Sequence, residues 1–385
     1  MTEVKKEVII QLNNRITIQG GVMSEYSSLK IIHHPEKLSQ LRNGFHPVPA
    51  QVQLIISDLC NQDCSFCAYR MSGYTSNQLF TLNAPLAAKG HNNPVRMIPY
   101  EKVVEILDSC VALGVGAIQL TGGGEPSVHP EFPQILRDIN DRGLDLALVT
   151  NGLKITEDVF DELKKAKWVR FSIDAGSAET YSAVRNVSKD QYKRVWDNIH
   201  KFCLLDKETT VGIGYVVTVD NWSEIDSCCN KAFEVGADNV RISAVFQNEG
   251  EAYFSGIYKD ILETIATCER KYHTSNLFKV INRFTDRVED LVQKSPDYEL
   301  CGYQHFCTYI GGDLSVYRCC NTAYNNQGLV GSIKDQSFED FWHSIEKRDK
   351  YEEFNAKTCE RCQFNQINKT ILYTLEEDPV HVNFV

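Results

Sequence analysis

The stretch Cys60-Asn-Gln-Asp-Cys64-Ser-Phe-Cys67 decides the fold, because it places three thiols within eight residues, directly after the apolar run 52–56. A short apolar run of this kind is typical of a buried strand, so the cysteines are expected in the loop at its C-terminal end. Three soft thiolates at this spacing can hold three irons of a four-iron cluster and leave the fourth iron without a protein ligand. A zinc knuckle is the alternative, but structural zinc sites take four protein ligands, and no further Cys or His follows in the next twenty residues.

The composition is that of an ordinary globular protein of about two domains, with 385 residues, 43% hydrophobic and 24% charged. No apolar run reaches the length of a membrane span, and the N-terminus carries neither a signal h-region nor a cleavage site, which predicts a cytoplasmic protein without a membrane partner. In that reducing compartment, fourteen cysteines favour metal or redox sites over disulfides. The formal charge of −11 disfavours a nucleic-acid partner without excluding a local basic groove.

From residue 52 onward, apolar strand-like runs alternate with amphipathic helical runs. The six strand-like runs are VQLII, AIQL, DLALVT, WVRFSI, VGIGYVVTV and NVRISAV, and Thr156 is expected to cap the helix after DLALVT. Such alternation predicts a parallel sheet with right-handed crossovers, two units short of the eight of a closed barrel. We expect an N-terminal extension (1–48), a barrel domain (49–285) and a small C-terminal α+β domain (286–385).

With Phe66 before its last cysteine, the CxxxCxΦC stretch resembles the signature of the radical S-adenosylmethionine (radical SAM) superfamily. The resemblance implies an α/β fold, a partial (β/α)6 TIM-like barrel, with Cys60, Cys64 and Cys67 as metal ligands at the C-terminal ends of the strands. It also implies two cofactors, a 4Fe-4S cluster with one open iron and SAM. The open iron would bind the amino and carboxylate groups of SAM, and reductive cleavage would give a 5′-deoxyadenosyl radical that abstracts hydrogen from substrate.

Further motifs of that superfamily follow at successive strand ends. GGE, TNG and SxD elements follow the second, third and fourth strands, and an arginine lies eleven residues beyond SxD. An ordinary Asn-Gly turn and a solvated helix arginine are the alternatives for the second and the last of these. The SAM-binding residues that the resemblance implies, beside Phe66, are Gly123, Gly124, Glu125, Asn151, Ser172, Asp174, Arg185, Asn221 and Val245.

The segment 69–97 interrupts the alternation with Gly, Ser, Asn and Pro, and long segments of this kind are either functional or disordered. We interpret it as a substrate-facing lid, with a disordered insertion as the alternative. Tyr69, Arg70 and His91 are candidate acid–base residues by location only. His129 follows the GGE turn and could reach the site, but it is expected at the surface ahead of Pro130. No catalytic acid or base can be assigned from the sequence.

Six cysteines follow residue 300, around a predicted hairpin (FCTYI and SVY, turning at GGDL), an amphipathic helix and the final CERC. The region resembles the SPASM/twitch extension of radical SAM enzymes, which implies one auxiliary 4Fe-4S cluster. Its implied ligands are Cys301, Cys319, Cys359 and Cys362, although Cys307 could replace Cys301 and Cys320 could replace Cys319. Four thiolates can also bind structural zinc. The remaining cysteines lie in helical stretches and are interpreted as small buried hydrophobic residues: Cys110, Cys203, Cys228, Cys229 and Cys268.

A fully ligated second cluster suggests redox-coupled chemistry, so the leading hypothesis is a radical SAM oxidoreductase or rearrangement enzyme acting on a small molecule. The alternatives are a peptide maturase of the SPASM/twitch kind and an enzyme that modifies a nucleotide or nucleic-acid base. A non-catalytic zinc-binding interaction protein is the hypothesis from another class. The expected partners are the small-molecule or peptide substrate and a reductase such as flavodoxin or ferredoxin.

Overall fold

The structure, a computed structural model, describes residues 11–12, 15–16, 25–70, 75–83, 94–273 and 278–383. Part of the segment 69–97, including His91, therefore lies outside the described residues. Within the described part, the strands are β1 (Gln11–Leu12), β2 (Arg15–Ile16), β3 (Gln51–Leu54), β4 (Ala117–Leu120), β5 (Asp145–Thr150), β6 (Trp168–Ser172), β7 (Thr210–Val217), β8 (Asn239–Ala244), β9 (Lys279–Arg283), β10 (Cys307–Ile310), β11 (Ser315–Tyr317) and β12 (Leu329–Ser332).

The α-helices of the described residues alternate with these strands. They are α1 (Pro35–Arg42), α2 (Gln78–Asn83), α3 (Tyr100–Leu113), α4 (Phe132–Asp141), α5 (Glu157–Leu163), α6 (Ala178–Arg185), α7 (Asp190–Cys203), α8 (Ile225–Glu234), α9 (Tyr258–Tyr272), α10 (Phe284–Gln293), α11 (Phe338–His343), α12 (Ile345–Glu352) and α13 (Asn365–Leu375). In the described part of the chain, no helix has the length and apolar character needed to cross a membrane.

Ten of the described strands form one open sheet in the order β12-β11-β10-β3-β4-β5-β6-β7-β8-β9. The six strands predicted from the sequence are β3 to β8, and each pairs in parallel with the next. The predicted α/β class and the partial (β/α)6 barrel are thereby confirmed. β9 adds a further parallel strand beyond β8, which the sequence interpretation missed because KVINR is short and only partly buried.

The helices cover the outer face of the barrel with apolar stripes. In α4, for example, Phe132, Ile135, Leu136 and Ile139 recur at helical spacing and are all buried. The five cysteines interpreted as small hydrophobic residues all lie on helices, and four of them are buried while Cys203 is half-buried. Thr156 occupies the N-cap position of α5, but its hydroxyl donates to the Asp158 carboxylate and makes no capping hydrogen bond to the backbone.

The C-terminal region continues the barrel sheet. Its predicted hairpin is present as β10 and β11, which pair antiparallel, and β10 also pairs in parallel with β3. The register sets Cys307 opposite Gln51 and Ile310 opposite Leu54. The boundary predicted after residue 285 falls inside α10, whose ten residues form a single helix.

Candidate active site

The cysteine loop 60–67 follows β3 and is held against the end of α6. The Asp63 amide donates to the Arg185 carbonyl (3.1 Å), and the Ser65 amide donates to the Val184 carbonyl (2.9 Å). These backbone contacts fix the loop at the C-terminal edge of the sheet. All three cysteines of the loop are free and half-buried, so their thiols are available as metal ligands.

The glycine turn after β4 lies directly beneath this loop. The Gly124 amide donates to the Ser57 carbonyl (3.1 Å), and the Glu125 amide donates to the Leu59 carbonyl (2.9 Å). A Cβ at Gly124 would lie 2.2 Å from the Leu59 carbonyl oxygen, and one at Gly123 would lie 2.2 Å from Asp58 Oδ1. Glycine is therefore required here for a close approach of two backbones, which positions the cysteine loop.

Substituting Gly124→Ala is expected to displace the cysteine loop, since the added methyl group would overlap backbone atoms that cannot move independently. We expect less iron bound per chain after anaerobic reconstitution and a lower melting temperature. Gly143→Ala is the matched control, because that glycine ends α4 with no atom within 4 Å of the position a Cβ would take, and its cost comes only from a φ of +70°. Unchanged iron content in Gly124→Ala would contradict this role of the turn.

The Glu125 carboxylate ties the end of β4 to the end of β5. Its Oε1 accepts hydrogen bonds from the Thr150 hydroxyl (2.6 Å) and the Ser127 hydroxyl (2.6 Å), and its Oε2 accepts from the Asn151 amide (2.7 Å). Asn151 in turn donates from Nδ2 to Asn61 Oδ1 (2.6 Å), within the cysteine loop. The predicted GGE and TNG elements thus form one hydrogen-bonded unit with that loop.

Arg185 and Asp174 form a buried ion pair next to the cysteines. Arg185 Nη2 donates to Asp174 Oδ2, Nη1 donates to Gln62 Oε1 (2.6 Å), and Nη1 lies 3.7 Å from Cys64 Sγ. Arg185 is 3% exposed, so the solvated-helix alternative is wrong. Asp174 has a φ of +58° and also accepts from the Val216 amide (2.6 Å). Burial raises the pKa of Asp174, an effect that the Arg185 guanidinium opposes.

A cavity of about 260 Å³, the active-site cavity, opens between these elements. It is lined by Cys60, Gln62, Cys64, Phe66, Cys67, Tyr69, Arg70, Thr121, Gly122, Gly123, Gly124, Glu125, Val149, Thr150, Asn151, Ser172, Asp174, Arg185 and Val216. Two of the predicted SAM-binding residues lie outside this lining. Asn221 is fully buried and uses its side chain to hold the Asp174 and Val216 carbonyls (both 2.9 Å), while Val245 packs in the apolar core.

The donor set of this cavity fits an iron–sulfur cluster. Burial raises the pKa of Cys60 to about 11 and that of Cys64 to about 12, so both are neutral thiols that release a proton when they bind a metal. Within the described ranges, no three His, Cys, Asp or Glu side chains converge on a position for one ion. A single zinc ion needs its sulfur ligands about 2.3 Å from one centre, whereas a four-iron cluster binds each thiolate on a different iron.

A second group of thiols surrounds a small cavity in the C-terminal region. Of the six cysteines after residue 300, the four that line it are Cys301, Cys319, Cys359 and Cys362. Cys362 Sγ accepts hydrogen bonds from the Phe364 amide (3.3 Å) and the Tyr298 hydroxyl (3.4 Å). Two buried polar atoms at this cavity, Arg318 Nε and Asn321 Oδ1, have no hydrogen-bond partner among the described residues. An unpaired arginine donor beside four thiols suits a negatively charged cluster.

The two other cysteines of this region lie apart from that cavity. Cys307 is buried in β10, and Cys320 Sγ accepts from Gln363 Nε2 at 3.0 Å. The structure therefore brings together the four cysteines that the twitch resemblance implies. It does not place Cys307 or Cys320 in the lining of the same cavity.

A buried network that the sequence did not indicate joins the cysteine loop to the C-terminal region. Asp58 is fully buried; its Oδ1 accepts from the Tyr324 hydroxyl (2.5 Å), and its Oδ2 accepts from Arg96 Nε (2.9 Å). Burial raises the pKa of Asp58 to about 7 against the opposing effect of Arg96. The Phe80 ring of α2 packs against Tyr324 with centroids 4.2 Å apart. The described part of the segment 69–97 thus contacts the C-terminal region beside the site.

The candidate acid–base residues are placed as follows. Tyr69 and Arg70 line the active-site cavity, and the Tyr69 hydroxyl lies 3.4 Å from that of Tyr309. Arg70 Nη1 donates to the Gln62 carbonyl (2.7 Å), so it supports the cysteine loop. The expectation of a surface His129 is wrong, because this residue is 4% exposed and its Nε2 lies 2.8 Å from the Ile98 carbonyl oxygen.

Comparison with known families and sequences finds the following similarities. A family model described as the radical SAM superfamily matches residues 54–232. A GTP 3′,8-cyclase of Pectobacterium atrosepticum is 27% identical over 171 residues, 42% of this chain and 45% of that relative. A GTP 3′,8-cyclase of Campylobacter fetus is 27% identical over 248 residues, 63% of this chain and 69% of that relative. The chain thus spans less than half the length of the first relative.

Solved structures with a similar fold cover both the barrel and the C-terminal region. Streptococcus suis SuiB bound to precursor peptide SuiA superposes with a TM-score of 0.60 at 15% identity, covering 96% of this chain and 82% of that chain. The structure of anSMEcpe with bound AdoMet gives a TM-score of 0.56 at 15% identity, covering 86% of this chain and 88% of that chain. At this level of identity, the similarity establishes a common fold.

Proposed function

Because residues 54–232 match the model of the radical SAM superfamily, we propose that this protein cleaves SAM reductively and uses the resulting 5′-deoxyadenosyl radical to abstract a hydrogen atom from a small-molecule substrate. The observation that carries the proposal is the convergence of three loop thiols, the glycine turn and the Ser172/Asp174 strand end on one cavity. When bound there, a four-iron cluster supplies the electron that cleaves the SAM sulfonium.

The residues of the chain position the cofactors and limit access of water. Cys60, Cys64 and Cys67 are the proposed cluster ligands, and the glycine turn presents its backbone where the ammonium group of SAM would bind. The Asp174–Arg185 pair holds the far wall of the cavity rigid, because each partner is also bonded to another element. Burial of this polar wall excludes water, which protects a radical from side reactions.

We further propose that Cys301, Cys319, Cys359 and Cys362 hold an auxiliary 4Fe-4S cluster that accepts or donates an electron during turnover. Their common cavity and the unpaired Arg318 Nε support this assignment. An oxidoreductase reaction, such as a dehydrogenation, would use that cluster as the electron acceptor, whereas a rearrangement would leave it unchanged overall. A flavodoxin or ferredoxin is the proposed source of the first electron.

A nucleotide is the second candidate substrate. Two relatives that are 27% identical are named GTP 3′,8-cyclase, so their substrate by name is a purine nucleotide. The direct test of either form of the proposal is anaerobic reconstitution followed by incubation with SAM and dithionite. We expect 5′-deoxyadenosine and methionine in equal amounts, and the absence of 5′-deoxyadenosine from a protein that has taken up iron would reject the proposal.

The choice of auxiliary ligands can be tested with two neighbouring cysteines. Cys319→Ala is expected to lose the auxiliary cluster and about four of roughly eight irons per chain, because Cys319 lines the common cavity. Cys320→Ala is the matched control and is expected to keep its iron, because the Cys320 thiol accepts a hydrogen bond from Gln363 instead. The measurement is iron and sulfide per chain after anaerobic reconstitution. Zinc in the wild type at this site, or equal iron loss in both variants, would refute the assignment.

A further inference from the structure

A second cavity, of about 750 Å³, lies between β3, β8, β9 and the segment 25–31. Three arginines contribute to its lining: Arg241 from β8, Arg283 from the end of β9 and Arg287 from α10. Arg170 on β6 lies next to this cavity. Its Nη1 donates to the Tyr26 hydroxyl at 3.4 Å, and Tyr26 lines the cavity. Three guanidinium groups thus line this cavity, and a fourth lies next to it.

Arg241 is half-buried, and no carboxylate of the described residues forms an ion pair with its guanidinium. Burial and, next to it, the neighbouring Arg170 guanidinium lower the pKa of Arg241 to about 9, an effect that Tyr26 opposes. Its Nε is buried and has no hydrogen-bond partner among the described residues, and its Cζ lies 5.3 Å from the Tyr26 ring centroid. A buried cation in such surroundings is unfavourable unless a bound group offsets its charge.

The carboxylates around the cavity have other partners. Asp286 pairs with Arg283 (2.8 Å), Glu25 faces Lys279 (3.4 Å), and Asp290 accepts from Asn365 Nδ2 (3.0 Å). Burial raises the pKa of Asp290 to about 6, which further reduces its value as a counter-charge. Glu289 lies at the exposed rim of the cavity. Among the described residues, none of these carboxylates lies within ion-pair distance of Arg241 or Arg170.

The strands leave room for these arginines. A Cβ at Gly214 on β7 would lie 3.5 Å from Arg170 Cδ, so the Arg170 side chain lies across this glycine toward β8. Arg170 and Ser172 are two residues apart on β6 and share one face, and Ser172 lines the active-site cavity. At about 3.3 Å per residue, Arg170 lies about 7 Å along β6 from Ser172, which forms part of the wall of the active-site cavity.

We propose that the Arg241 and Arg170 guanidinium groups bind an oxyanion group of the substrate, a phosphate or a carboxylate, in this second cavity. The inference rests on the proposed function and specifies its substrate class as an anionic small molecule. Guanidinium forks match both oxyanions geometrically. To react, a substrate held there by its anionic end would have to reach the active-site cavity, whose wall residue Ser172 lies two residues beyond Arg170 on β6.

The test uses anaerobically reconstituted full-length protein and two probe anions, inorganic pyrophosphate and citrate, titrated by calorimetry. Arg241→Met keeps an unbranched stem and removes the guanidinium with its charge, and Arg170→Met does the same on β6, two strands away. Arg137→Met is the control, because that arginine lies on α4 with its side chain 54% exposed. The melting temperature of each variant without anion is measured in parallel.

We expect one of the anions to bind the wild type and Arg137→Met equally and to bind Arg241→Met and Arg170→Met at least tenfold more weakly, since each loses charge-assisted hydrogen bonds. Preference for pyrophosphate identifies a phosphate group and preference for citrate a carboxylate. Arg241→Met without anion is expected to melt no lower than the wild type, because it loses an uncompensated buried charge. Equal binding by wild type and both variants, or no binding by the wild type, would overturn the inference.

The proposed function is tested separately, on the wild type alone. If the wild type forms 5′-deoxyadenosine from SAM but binds anions no more tightly than Arg241→Met, the proposed function stands and only the anion site is rejected. If the wild type binds pyrophosphate more tightly than Arg241→Met but does not cleave SAM, the anion site stands and the proposed function is rejected.

Discussion

Replacing Cys60, Cys64 and Cys67 together by alanine is expected to abolish reductive cleavage of SAM and to reduce the iron content from about eight to about four per chain. The three thiols share one loop and one cavity, so no neighbouring cysteine can substitute for them. Iron and sulfide are measured after anaerobic reconstitution, and 5′-deoxyadenosine is measured after addition of dithionite. The expected loss of activity is complete, because without the cluster no electron reaches the sulfonium.

The matched control is the triple variant Cys110→Ala/Cys203→Ala/Cys268→Ala, which removes the same number of thiols from helices of the barrel. It should keep both its iron and its SAM cleavage, with a modest loss of stability from the small cavities it creates. A loop variant that retained eight irons, or that still produced 5′-deoxyadenosine, would disprove the assignment of the loop thiols. About four irons in the wild type and none in the loop variant would show instead that the C-terminal cysteines hold no iron–sulfur cluster.

Arg185→Met is expected to destabilise the protein by about 3–5 kcal/mol, because it leaves the Asp174 carboxylate buried without its counter-ion. Both side chains are almost inaccessible, at 4% exposure for Arg185 and 2% for Asp174. The double variant Arg185→Met/Asp174→Asn removes the charge as well and should recover part of that loss. The measurement is the free energy of unfolding in urea for the wild type, both single variants and the double variant.

The pH dependence of Arg185→Met provides a second readout. Burial already raises the pKa of Asp174 above its unfolded value, and removing the arginine removes the main opposing effect. A carboxyl group whose pKa is raised in the folded state favours folding at low pH and loses that contribution as the pH rises through its folded pKa. Arg185→Met should therefore be relatively less destabilised at pH 5 than at pH 8. Additive single-variant effects without this pH dependence would show that the two groups are not coupled.

The sequence predicted the barrel and the cofactor end of the site because both depend on local patterns. Strand runs such as DLALVT and WVRFSI are recognisable from their own residues, and each motif follows its strand directly. The loop thiols, the glycine turn and Ser172 therefore converge as soon as the strands are parallel. The sequence does not decide between Cys319 and Cys320, since adjacent residues differ only in the direction of their side chains.

The parts that the sequence did not predict depend on contacts between distant residues. The Tyr324 hydroxyl donates a hydrogen bond to Asp58, 266 residues away in the sequence, and no local sequence pattern predicts such a pair. The two arginines of the proposed anion site, in contrast, could have been recognised from the sequence pattern around them. Arg170 in Val-Arg-Phe-Ser and Arg241 in Val-Arg-Ile-Ser each stand between two apolar residues of a strand, on the face opposite to those two neighbours. A charged residue at the centre of a buried strand is unusual enough to indicate a ligand.

The parallel pairing of β10 with β3 has a consequence for the way the protein is made. Gln51 leaves the ribosome about 250 residues before its partner Cys307, so at about 5–20 residues per second β3 waits roughly 10–50 s for its second neighbour. During synthesis the strand that leads into the cysteine loop therefore exposes unpaired amide and carbonyl groups, which are a template for association with other chains. A nascent chain of this protein is expected to need chaperone protection until its last third has emerged.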